Sequence, residues 1–213
     1  MSTLELIWNS EKRYKMWSWK NGNVHYVAHF IRRIDKRDNV CTVRIGERGG
    51  PKVPKSNRDE DAAVGVVKLA FTPDASDALE REAQCYTQME SLQGVAVPRC
   101  LGHFRSKVAG AEMSCLVLDY CVGYPGDPML DVRRRIMTAA YALHAQNVLH
   151  GDLLDGRHFV KSGRDVAIVD FAAAVPHKCV HGRRIHGPDG RTVIGSCPEL
   201  AALERIYGVH TPA

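Results

Sequence analysis

The chain has no run approaching the roughly 18 consecutive apolar residues that span a bilayer as a helix, so no transmembrane helix is expected. Its opening, Met-Ser-Thr-Leu-Glu-Leu, lacks the apolar core of a signal peptide. The seven cysteines are odd in number and never spaced Cys-x-x-Cys. That excludes an obvious disulfide framework and suits free thiols in a reducing compartment. These absences point to an intracellular protein, cytoplasmic or nuclear, with no membrane partner. Gly-x-Gly-x-x-Gly is missing too. Gly46, Gly49 and Gly50 are therefore a weak match to a phosphate cradle.

Charge is present in both signs, at a net +5. Residues 1–60 carry 13 Lys/Arg against 7 Asp/Glu, and the remainder 16 against 17. A basic front end could face nucleic acid, an acidic partner or a nucleotide-loaded cleft. An excess this small is accounted for by a solvated surface, and nucleic acid is not expected as a partner. With 213 residues, 45% of them hydrophobic, the chain can bury a core as one compact domain or two small lobes.

Asn21-Gly22 separates Lys15–Lys20 from Asn23–Phe30, which predicts a hairpin with a type I′ turn. Trp17 and Trp19 would share one face and cover the sheet, as would Val24, Tyr26, Ala28 and Phe30 on theirs. A strand is expected over 40–45, then a long polar loop from Gly46 to Ala63. Val64–Phe71 is apolar except for Lys68. A lysine on such a strand needs an anion or water at its tip. Residues 78–89 have helical periodicity, with Ser76 or Asp77 as candidate caps. They place Glu82 fourteen residues after Lys68, with Glu80 as a second candidate acid. Glu112–Tyr120 reads as a strand leading to a Gly/Pro-dense linker at 123–128, and Asp131–His144 as a helix with Arg133–Arg135 mostly off its apolar stripe.

The most informative stretch is Leu149 to Ala174. His150-Gly151-Asp152 precedes Phe159-Val160, a turn at Ser162-Gly163, and the apolar strand Val166–Val169 that ends in Asp170-Phe171-Ala172. The periodicity predicts a hairpin. A carboxylate directly after a wholly apolar strand needs a specific reason. The segment resembles the catalytic loop and metal-binding Asp-Phe-Gly segment of protein kinases. Val-Val-Lys-Leu, Arg-Glu-Ala-x-x-Tyr and Cys197-Pro-Glu-Leu are similar, in the same order, to atypical, fungal-type kinase-like domains. The resemblance spans about residues 40–207.

What the resemblance implies is an α+β, two-lobe protein kinase-like fold with a small β-rich N-lobe and a truncated helical C-lobe. Residues 1–39 would form a basic aromatic extension, 40–122 the N-lobe and 123–213 the C-lobe. It implies an ATP-dependent phosphotransferase acting on a hydroxyl, protein Ser/Thr first and a small molecule second. Asp152 would be the base, Lys68 would hold ATP phosphates with Glu82 orienting it, and Asp119, Tyr120 and Cys121 would flank adenine. Asp170 would hold Mg²⁺ or Mn²⁺.

Gly151 replaces the family's arginine, and Arg157 stands where its asparagine would fall. With a one-residue insertion His158 takes the asparagine's place as a metal ligand, and imidazole suits Mn²⁺ better than Mg²⁺. These departures and the short C-lobe leave a second reading, a pseudokinase-like nucleotide- or partner-binding module with little or no turnover. Separately, His177-x-Cys179-x-His181 sets three metal-competent side chains on one face of an extended segment.

Overall fold

The computed structural model describes residues 1–18, 22–34, 39–49, 64–123, 130–163, 165–186 and 192–208. The chain divides into two compact units, one of residues 1–84 with 99–120 and one of 85–98 with 121–213.

The first unit is built from β1 (Ser2–Ile7), β2 (Arg13–Ser18), β3 (His25–Arg33), β4 (Val40–Glu47), β5 (Val64–Ala70), the helix α1 (Pro73–Gln88), β6 (Cys100–Val108) and β7 (Ala111–Asp119). The strands close into a barrel in the order β1-β2-β6-β7-β5-β4-β3. Neighbours are antiparallel except β1 and β3, which run parallel and close the ring. Period-two alternation turns Leu4, Leu6, Met16, Val43, Val67 and Phe104 into one buried cluster. The same alternation puts Lys68 on the outer face of β5.

The aromatic hairpin expected around Asn21-Gly22 does not form. β1 lies between β2 and β3 and pairs with both. The register Leu4↔Met16 turns Met16 inward and leaves Trp17 41% exposed, so Trp17 is no core cover. Asn21 and Trp19 lie outside the described residues, as does the loop from 50 to 63. Helix α1 starts earlier than its periodicity suggested. Thr72 caps it, its Oγ1 accepting the Ala75 N–H at 3.3 Å, and Pro73 occupies the first turn.

The second unit takes in the last turn of α1, a 3₁₀ turn at Glu90–Leu92, α2 (Leu130–Ala145), β8 (Val148–Leu149), β9 (Phe159–Ser162), β10 (Asp165–Ile168), a 3₁₀ turn at Phe171–Ala173, β11 (Val175–Pro176), β12 (Arg184–His186), β13 (Thr192–Ile194) and α3 (Pro198–Tyr207). Residues 124–129, most of the expected linker, lie outside the described residues. Helix α2 buries Ile136, Met137, Ala139, Ala140 and Leu143. Its Arg135 reaches Asp131 at 2.9 Å and Asp165 at 2.5 Å, tying the helix to the start of β10. Asn147, at φ 61, ends the helix in the left-handed conformation that Asn tolerates.

The expected two-lobe kinase-like fold with a helical C-lobe is overturned. The described residues are mostly β, with a closed seven-stranded barrel and only three short α-helices. The cause is local. Residues 2–33, read as an extension, supply three barrel strands, and between α2 and α3 the chain makes two-stranded ladders of two to four residues per strand rather than α-helices. No helix among the described residues is long and apolar enough to cross a membrane.

Candidate functional site

In the first unit, Lys68 and Glu82 meet. The lysine Nζ lies 2.8 Å from Oε1 and 3.0 Å from Oε2 of a carboxylate that is 2% exposed. Two bonds to one ammonium are what make a buried carboxylate tolerable. Glu80, the other candidate acid, instead accepts from Arg105 at 2.6 Å on the surface. Asp119 accepts from Nε of Arg99 at 2.6 Å, which raises the arginine's pKa, and the Tyr120 N–H donates to the Val64 carbonyl at 3.1 Å. Those bonds fasten the end of β7 to its neighbours. Cys121, a part-buried thiol, begins the longer segment of the second unit.

In the second unit, β9 and β10 pair as a hairpin through Phe159↔Ile168 and Ser162↔Asp165. Asp152 precedes the hairpin and Asp170 follows it. His150, fully buried, connects the two ends: its Nε2 lies 3.0 Å from the Val169 carbonyl and its Nδ1 3.3 Å from the Asp152 N–H. A carbonyl can only accept, so Nε2 carries the proton and Nδ1 accepts. Burial pushes the His150 pKa down, against the pull of the Val169 bond, which keeps this neutral tautomer.

Gly151 has φ +83°, and a Cβ there would sit 3.1 Å from the Ala173 carbonyl oxygen. A side chain there would meet that crowding on a backbone conformation that favours glycine. Glu199 holds the same loop, accepting the Gly151 N–H at 2.7 Å and the His150 N–H at 3.2 Å. Burial raises the Glu199 pKa, but bonds from His144, Gly151 and His150 outweigh it and the net shift is downward.

His158 stands between the two carboxylates. Its Nε2 is 3.1 Å from Asp152 Oδ2, and its Nδ1 is 3.8 Å from Asp170 Oδ2. Both carboxylates are 42% exposed, whereas the imidazole is only 8% exposed. The guanidinium of Arg157 pairs with Asp152, and its Nε lies 2.9 Å from His158 Nε2. Arg157 first, and His158 second, hold the Asp152 carboxyl below its usual pKa. Asp170 lies at φ 70, ψ 73, the left-handed region, and is anchored by the buried Phe171, whose ring meets Tyr86 edge-on at 5.1 Å.

The structure thus brings Lys68 to Glu82 in one unit, and Asp152, His158 and Asp170 together in the other. Nothing in the sequence signals the Arg157–Asp152 pairing or the Glu199 brace. In the sequence Glu199 stands out only within Cys197-Pro-Glu-Leu. His181, grouped with His177 and Cys179 by spacing, turns instead to Glu204 at 2.9 Å and accepts the Cys197 N–H at 3.1 Å. No protein-family model and no curated protein matches the chain.

Proposed function

We propose that the chain is an ATP-dependent phosphotransferase that passes the γ-phosphate to a hydroxyl, a protein serine or threonine in the first instance. The observation that carries the reading is the arrangement of Asp152 and Asp170 at the two ends of one hairpin, with His158 between them and His150 locking both. Phosphoryl transfer asks for positioned groups more than for a particular fold, so the reading rests on the site and not on the architecture.

Asp152 is the acceptor of the hydroxyl proton. Asp170 and Nδ1 of His158 offer one hard and one borderline donor, a set that suits Mn²⁺ and, less well, Mg²⁺. The cation, when bound, neutralises charge on the phosphate oxygens. Lys68, oriented by Glu82, is the residue assigned to the nucleotide phosphates.

A second reading, a nucleotide-binding module with little or no turnover, is favoured by one contact. Arg157 already occupies Asp152, and a base with a lowered pKa is a weak one.

Incubation with γ-labelled ATP, Mg²⁺ or Mn²⁺ and a mixed peptide acceptor separates the two. Transfer that is lost in Asp152→Asn and in Asp170→Asn supports the enzyme, and His158→Asn should raise the Mg²⁺-supported rate. A thermal shift with ATP and no transfer supports the module. No shift and no transfer overturns both.

A further inference from the structure

Away from the carboxylates, the second unit gathers four side chains with metal-binding atoms. His144 lies in the last turn of α2, Cys197 at the N-cap of α3, and His177 and Cys179 on the extended segment after β11. One ligand atom from each comes within 4.8 Å of all the others. The separation of two between His177 and Cys179 points both side chains to the same side of an extended backbone. We propose that His144, His177, Cys179 and Cys197 form a structural Zn²⁺ site that fixes the His150–Asp152 loop through Glu199.

Three independent observations support it. First, the donor set is two thiols and two imidazoles with no position left for water, which is the composition of closed, structural zinc centres. A tetrahedron with bonds of about 2.0–2.3 Å has edges of about 3.3–3.8 Å. The Cys197 Sγ to His144 Nδ1 separation, 3.7 Å, is already an edge of that length. The other pairs lie within 4.8 Å, so closing the tetrahedron draws them together by at most about 1.5 Å.

Second, Nε2 of His177 is buried with no hydrogen-bond partner among the described residues. A buried polar atom left unsatisfied costs about 1–3 kcal/mol, and an ion that binds its ring and orders the pocket gives that cost a reason. Third, Nε2 of His144 lies 2.8 Å from Glu199 Oε2. A carboxylate accepting there fixes the proton on Nε2 and turns a bare Nδ1 towards Cys197, the outer-sphere arrangement that metal-bound histidines use.

Glu199 links this centre to the candidate site. Its two oxygens hold His144 on one side and the amides of His150 and Gly151 on the other. Binding of the ion therefore orders the loop that presents Asp152.

Zinc analysis of the whole chain, purified under reducing conditions, tests the assignment without any need for activity. The expected result is one zinc per chain. After removal with a chelator, Co²⁺ should restore one equivalent with the thiolate charge-transfer band of a tetrahedral site. Cys179→Ser and Cys197→Ser should lose the ion while Cys100→Ser keeps it. Glu199→Gln should weaken zinc binding about 10–100-fold in competition with a chromophoric chelator. Amide exchange at residues 150–152 should slow on zinc addition.

If the cysteine variants fail to fold, the wild-type stoichiometry and the cobalt spectrum decide. The assignment is overturned by a chain that neither retains zinc nor yields that spectrum, by zinc retained in Cys197→Ser, or by a Cys179–Cys197 disulfide in place of the ion. Unchanged exchange at 150–152 overturns the link through Glu199.

Discussion

At φ 70, Asp170 occupies backbone space that an ordinary L-residue enters at a cost of about 1–2 kcal/mol. Aspartate and asparagine are the side chains that reduce that cost, because their short polar groups satisfy the local backbone. Phe171, packed between Tyr86 and His150, holds the conformation in place. Position 170 therefore serves two masters, the turn and the carboxylate, and the two can be separated. Asp170→Asn should keep the unfolding free energy from urea titration within about 0.5 kcal/mol of wild type while the proposed phosphate transfer is lost. Asp170→Ala should lose transfer and about 1 kcal/mol of stability as well. Equal stability of the two variants would remove the turn from the account of this residue.

The elements that were legible in the sequence are those whose pattern is set locally. The β9–β10 hairpin follows from its apolar alternation and the Ser162-Gly163 turn, and α2 from its stripe. Lys68 and Glu82 were legible because a lone cation on an apolar strand demands an acid, and a helix fourteen residues on supplies one. Elements whose partners come from far along the chain were not. β2 looked like half of a hairpin with β3, but it pairs with β1 and β6, and no local signal records a neighbour at Arg105. Cys197 and His144 likewise reach each other only through the packing of two helices, so spacing grouped His181 in their place. At this scale the Lys68–Glu82 pair makes a sharp prediction. Lys68→Met strands a buried carboxylate and should cost about 3–5 kcal/mol in urea unfolding. Adding Glu82→Leu should recover much of that loss, since it is the unpaired charge and not the missing bond that destabilises.

For the molecule as a whole, the closed ring decides what is dispensable. A sheet with no edges hides all its strand-pairing groups, and removing any strand exposes two rows of them. Residues 1–18 carry β1 and β2, and β1 is the one strand that joins β2 to β3. A chain beginning at residue 19 should therefore fail to give a dispersed amide spectrum and should aggregate, where a detachable arm would leave the rest folded. A well-dispersed, monomeric truncation would overturn the claim that these strands are integral.

The pairing of β2 with β6 also bears on how the protein is made. Ser106 donates to the carbonyl of Lys15 across 91 positions of chain. At about 5–20 residues per second, a ribosome needs several seconds to deliver β6 after β2 has emerged. For that interval β2 waits with one edge unpaired and Met16 without its full enclosure. Lys68 and Glu82 are synthesised within that interval, so the open edge of β2 is a place for a chaperone to bind before Asp152, His158 and Asp170 have been made.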